Sequence, residues 1–488
     1  MNSGTLHPLS NEFTPVTRRQ LSSLIAVLAA GIVLLVLNFS ALSIAAVSLL
    51  VLWLSFLRYD PLLYLIVFTL PLAPIVDIEG FPIHDLATFA RLLLFAGVLG
   101  RKLLEQEALG PWLWGNRMER WGLAFFAIAV ISAAVVHPLE GGSARSLFRL
   151  ASYILFYYAV TGWVRKTQQL RNCLMWLFAS TIVVCALALH QVASNSLTGW
   201  FEWLYHNQMD MAPPWQGRPT SLFLAVNSLA AHLNMVIPFA LAVQTWPKLD
   251  FDLRFSARLV LFLGIIVLVL TLSRGGFISF FVIMVIAFQT VLLVQGARWK
   301  SLLPVILAVS IGVAISYVAV TALSDSTGTS AAERFSGADE VTLVRGVIYV
   351  AAFGMFLNEP VLGIGYGNFR SHFNAYTSTG PDDMWDAHSL YFKFLAEIGL
   401  VGTLCFLAFI GSILLSARRS WRKGANDMER VVGAALLGSV AGVLVQGLVE
   451  ALIENPQFGS MLWFLFAMLA VAQQLGRQDS QLPRKSAV

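Results

Sequence analysis

LVLFLGIIVLVLTLSRGGFISFFVIMVIAFQTVLLV, residues 259–294, is the stretch whose reading decides the fold. Two apolar runs, 259–273 and 275–295, meet at Arg274 with almost no loop between them. They read as two membrane helices joined by a tight connection. An arginine at such a junction must either snorkel to the membrane surface or pair with an anion.

Working outward, similar runs recur along the 488 residues, of which 57% are hydrophobic and only 12% charged. That composition excludes a set of soluble domains and predicts an all-α polytopic integral membrane protein. The expected spans are 21–37, 40–57, 61–76, 86–100, 121–136, 147–164, 172–190, 219–246, 259–273, 275–295, 302–321, 389–416, 431–451 and 457–475, about fourteen transmembrane helices in all. The first follows Arg18 and Arg19 without a clear small-residue cleavage site and is read as a retained helix.

More than two thirds of the 32 Lys and Arg residues fall on alternate connections that share a side with the N-terminus. The positive-inside bias therefore predicts a multi-pass membrane protein with both termini in the cytoplasm. It also accounts for the net charge of +5 without nucleic acid. Cys173, Cys185 and Cys405 lie inside predicted helices with neither the number nor the spacing of a disulfide framework or zinc site.

The expected organisation is a set of N-terminal transmembrane helices (1–190), an aromatic-rich periplasmic loop (191–218), central helices carrying Arg274 (219–321), a large periplasmic loop (322–388) before the twelfth helix, C-terminal helices (389–475) and a cytoplasmic tail (476–488). The aromatics of the first loop, Trp215 among them, suit an interfacial belt or sugar stacking. In the second, the apolar stretch 347–357 reads as a re-entrant or interfacial helix, and Gly363, Gly365 and Gly367 as a tight turn back to the membrane. The three glycines are not a dinucleotide loop, because no strand precedes them.

Candidate chemistry lies on the outer side. Arg218, Arg274 and Arg345 come from three chain regions, and planar guanidinium forks of this kind suit phosphate recognition. His388 begins the helix bearing Tyr391, where the helix dipole and Lys393 both disfavour the imidazolium form, leaving a proton acceptor. Asp382, Asp383 and Asp386 read either as a carboxylate–histidine metal site or as turn chemistry with Asp386 capping the helix.

These residues carry a resemblance. His388, Ser389 and Gly399 fit the His-Ser…Gly spacing of the O-antigen ligase/polymerase superfamily of bacterial polytopic membrane glycosyltransferases. RGVIYVAAFGMFLNEPVLGIGYGNF (345–369) is similar to its Arg, apolar helix, Pro and Gly-x-Gly run, and GRPTSLFLAVN (217–227) to its Arg-to-Asn segment. Arg274 is followed four positions on by Ile278, where that family tends to have Leu. The resemblance spans residues 215–475, and the N-terminal helices share only topology.

It implies a metal-independent, inverting glycosyltransferase without a cofactor at the periplasmic face of a bacterial inner (cytoplasmic) membrane. The donor would be a glycan on a polyprenyl (undecaprenyl) diphosphate, with Arg218, Arg274 and Arg345 on the diphosphate and His388 as base. Asp386, Tyr391 and Trp215 are candidate acceptor or sugar contacts. The acceptor would be a growing glycan, for a repeat-unit polymerase of surface or exopolysaccharide, or a lipid A core or protein side chain, for a ligase. Membrane lipids and envelope polysaccharide assembly proteins are the other expected partners. A secondary transporter is the alternative of another class, with His232 and Asn234 as its interior polar residues. A non-catalytic assembly component is a third.

Overall fold

The computed structural model describes residues 40–72, 86–136, 141–194, 218–223, 225–246, 249–295, 340–377 and 386–481. Among these the regular structure is helical: α1 (Ser40–Phe56), α2 (Asp60–Thr69), α3 (Leu86–Leu104), α4 (Leu109–Trp114), α5 (Arg117–Val135), α6 (Gly141–Trp163), α7 (Thr167–Ser194), α8 (Val226–Thr245), α9 (Phe251–Leu270), α10 (Arg274–Gln295), α11 (Glu340–Asn358), α12 (Phe369–His372), α13 (Leu390–Lys423), α14 (Asp427–Gln446) and α15 (Pro456–Gln481). Of these, α5, α7, α8, α9, α13, α14 and α15 are long and apolar enough to cross a membrane, and the chain is an integral membrane protein. The expected spans 21–37 and 302–321 lie outside the described residues.

Two expected boundaries shift. The span read as 219–246 starts as a helix only at Val226, because 218–223 forms a turn. The span read as 431–451 ends at Gln446, and the chain then turns through 447–455. Both shifts convert predicted membrane helix into loop beside the same end of the bundle. The apolar stretch 347–357 is helical, as part of α11.

α14 is the hub, packing against α8, α10, α13 and α15. Its sequence explains why. Gly438 and Gly442 are one turn apart on one face; a Cβ on the first would meet the ring of Pro238 in α8, and on the second Ile283 in α10. Small residues at this spacing let membrane helices approach closely, so association is driven by packing without help from water. Polar residues inside the bundle are matched across helices: Asn234 Nδ2 donates to the Gly276 carbonyl (2.9 Å), and His232 Nε2 lies 3.2 Å from Thr181 Oγ1. These two interior polar groups thus bond helix to helix. All three cysteines are free and buried.

Helix α13 is broken at Gly399, whose φ of 61° and ψ of −164° interrupt an otherwise continuous run. The break leaves carbonyls without intrahelical partners, and the glycine-rich segment supplies donors: Ile364 N reaches Ala396 O (2.8 Å) and Gly365 N reaches Glu397 O (3.0 Å). In return Leu400 N bonds Pro360 O (2.8 Å). A Cβ on Gly399 would overlap the Val361 carbonyl. The run at 363–367 is therefore a backbone splice into a broken membrane helix, with all three glycines at positive φ.

Candidate functional site

The end of the bundle at which α8, α10, α13 and α15 begin and α14 ends gathers the polar residues singled out in the sequence. Arg218 Nε donates to the Thr271 carbonyl (2.8 Å), tying the 218–223 turn to the one immediately before Arg274. Arg274 is the first residue of α10 and is exposed. Ser273 Oγ donates to Asn227 Oδ1 (2.8 Å), in the first turn of α8. Asn227 Nδ2 in turn donates to Glu450 Oε1, and Gln446 Nε2 holds the Asn227 carbonyl at 2.9 Å.

Glu450 is the centre of this network. Arg345 of α11 reaches its Oε1 with one Nη at 3.1 Å, and His388 Nδ1 stands 3.7 Å from its Oε2. The carboxylate is largely enclosed, with 11% of its side chain exposed, whereas His388 keeps 36% open. His388 Nδ1 is itself buried and makes no hydrogen bond among the described residues. A continuous chain of contacts therefore links Arg218, the Arg274 turn, Asn227, Glu450, Arg345 and His388.

Local geometry holds His388 in place. Its φ is +46°, left-handed for a non-glycine residue, while its carbonyl accepts from Tyr349 Oη (3.1 Å) and the next amide but one, Leu390 N, bonds Gly447 O (2.8 Å). Ser221 and Leu272 are also left-handed, at 51° and 50°. Such conformations cost of order 1–3 kcal/mol each and persist where surrounding contacts over-determine them, commonly at functional sites.

The other expected site residues take different places. Asp386 accepts from Ala387 N (2.7 Å) and from Lys393 Nζ (3.0 Å), and the N-cap position of α13 belongs to Ser389, so Asp386 is not the cap. Lys393 is 3% exposed and committed to Asp386 and Glu397. It serves the splice, since Glu397 Oε1 accepts Phe369 N (3.1 Å). Tyr391 Oη is bound to the Leu444 carbonyl (2.9 Å), pinning α13 to α14. Trp215, Asp382 and Asp383 lie outside the described residues, and no group of three metal-ligating side chains occurs among the described ones.

Sequence reasoning missed Glu450 and Asn227. Glu450 sat at the end of a predicted span, where a carboxylate is easily taken for a helix terminus. An acid at the outer end of a span, on the side that carries Arg218, Arg274 and Arg345, was the available signal. Asn227 was quoted only as the end of a motif.

Fold and site together define a polytopic helical membrane protein with a guanidinium, imidazole and carboxylate cluster at one end. Residues 259–407 match the family model described as O-Antigen ligase. Over 482 residues the chain is 21% identical to the teichuronic acid biosynthesis protein TuaE of Bacillus subtilis (strain 168), covering 95% of this chain and 92% of that protein. The chain is thus similar to the O-antigen ligase/polymerase superfamily, through the family model over residues 259–407 and through this relative along nearly its whole length.

Proposed function

We propose that this protein is a polysaccharide-biosynthesis glycosyltransferase that takes glycan from a polyprenyl-diphosphate donor at the outer face of the cytoplasmic membrane. The observation that carries the reading is the meeting of Arg345 and His388 on Glu450, joined through Asn227 and Ser273 to the turn that presents Arg274. Arginines at a membrane surface suit a diphosphate, whose charge grows as it leaves. Arg274 and Arg345 contact that leaving group, and Arg218 does so while bracing the Arg274 turn. His388 removes the proton from the acceptor hydroxyl as its oxygen attacks the anomeric carbon, and Glu450 balances the charge that arrives on the imidazole. One displacement inverts the anomeric centre, and the arginines carry out the charge stabilisation a metal ion gives in other transferases.

The acceptor is a second glycan on its own lipid carrier, so that the product is a polymer of repeat units. A relative named for teichuronic acid biosynthesis, matched along nearly its whole length, supports this over transfer to a lipid A core. The ligase reading rests on the description of the family model. Replacing His388 and Arg274 separately by Ala in the producing cell, with membrane insertion checked, tests the assignment. Glycan transfer collapses and lipid-linked donor accumulates; single repeat units mean polymerisation, and finished chains mean ligation. Unchanged transfer in both variants removes the site and favours a transporter or assembly component.

A further inference from the structure

The opposite end of the bundle holds a second charged site that glycan transfer does not use. A cleft of about 910 Å³ opens where α5 begins and α13 and α15 end, and Arg117, Arg120, Arg419, Lys423 and Arg477 all line it. No carboxylate pairs with any of these five among the described residues. The one acid in the wall, Glu429, already accepts from Ser420 Oγ (3.0 Å) and Ala425 N (2.8 Å). An adjoining cleft shows the contrast, because its Lys102 and Arg165 both pair with Glu107.

Orientation signals alone place cations at such helix ends, but they do not require them to converge. Here Arg418 and Arg422, on the same last turns of α13, lie outside the lining, while Arg419 and Lys423 are in it. The cleft also has an apolar wall that points to the kind of ligand. Ala408, Gly411 and Leu415 of α13 and Trp121 of α5 line it. A Cβ on Gly411 would meet open space, and Leu415 and Trp121 are exposed. With the exposed Leu404 these α13 residues form a stripe of helical spacing roughly 16 Å long at 1.5 Å per residue, about one leaflet of a ~30 Å hydrocarbon core.

We infer that this cleft binds the headgroup of an anionic phospholipid in the leaflet opposite the glycan-transfer site, with its acyl chains along the α13 stripe. Unneutralised cations at the headgroup level above a lipid-facing apolar groove match an amphiphile with a phosphate head better than a soluble anion, which would leave the groove unused.

The test uses the purified full-length protein and measures retention of phosphatidylglycerol by native mass spectrometry across a lipid titration. Phosphatidylcholine and glycerol 3-phosphate are the comparison probes. Each cation near a membrane surface adds roughly five-fold to the attraction for an anionic lipid, so the R120Q/R419Q double variant weakens phosphatidylglycerol binding by about 30-fold. R418Q/R422Q, which removes equal charge outside the cleft, leaves binding within about threefold of wild type, and R477Q, which removes one cleft cation, weakens binding roughly five-fold and serves if the first variant is poorly folded. Phosphatidylcholine is held equally weakly by all. The proposal is overturned if R120Q/R419Q and R477Q both keep wild-type affinity, if R418Q/R422Q loses as much, or if glycerol 3-phosphate competes at lipid-like concentrations, which would mark a site for a soluble phosphate.

Discussion

Glu450→Gln isolates the carboxylate's charge from its shape. The amide can still accept from Asn227 and Arg345 through its oxygen, so the fold should lose less than about 1 kcal/mol. What disappears is the negative charge 3.7 Å from His388 Nδ1; at an effective dielectric near 20 that charge is worth at most about 4.5 kcal/mol to an imidazole carrying a proton. Part of this is screened, because 36% of the His388 side chain is open. A loss of about 3 kcal/mol in the transition state corresponds to a turnover reduction of roughly 10²-fold. It should fall on kcat, since the charge is needed only as the proton moves, with KM for the lipid-linked donor changed little. The assay is glycan transfer by the purified protein in proteoliposomes with lipid-linked donor, alongside a thermal melt. A kcat within threefold of wild type, with unaltered melting, would refute the role given to Glu450.

Two further predictions concern the frame. Gly399→Ala should destabilise the protein by about 2–4 kcal/mol, seen as a lowered melting temperature and yield, because the position needs φ +61° and a Cβ would overlap the Val361 carbonyl; wild-type melting would show that the splice is not built as described. Hydrogen bonds from Lys102 and Arg165 hold the Glu107 carboxyl down to about 2, against about 4.3 in an unfolded chain. The unfolded state thus takes up the proton first, and the stabilisation, about 1–2 kcal/mol for a partly exposed group, is full above pH ~4.5 and fades as pH falls toward 2. Thermal melts of Glu107→Gln should converge on wild type in that window and lie below it at pH 7; parallel curves throughout would sink the idea.

Much of the architecture was legible because a membrane span is a one-dimensional signal. Most of the expected spans coincide with helices, and Arg274 stands at the start of α10 as the junction between two apolar runs implied. Hydropathy alone could not show where a span stops being helix. Residues 219–223 and 447–451 read as extensions of the neighbouring spans, yet the backbone turns there so that Arg218 can reach the 271–272 carbonyls and Glu450 can meet Arg345. The pairing of Arg345 with Glu450 joins residues 105 apart in sequence. No local pattern encodes such a contact. Lys393 misled for a related reason: a lysine beside a histidine reads as a charge acting on it, but burial commits it to Asp386 and Glu397. The His388 to Gly399 spacing was visible, and its physical cause, a helix broken at Gly399 and repaired by the 360–365 backbone, emerged only in three dimensions.

The central claim is that His388 acts on a hydroxyl beside a diphosphate held by arginines. It is tested most directly by single-turnover transfer from a polyprenyl-diphosphate-linked glycan in proteoliposomes, comparing wild type with His388→Ala. The account predicts that donor binding persists while the chemical step slows by 10²-fold or more. Transfer by His388→Ala at the wild-type rate would contradict it.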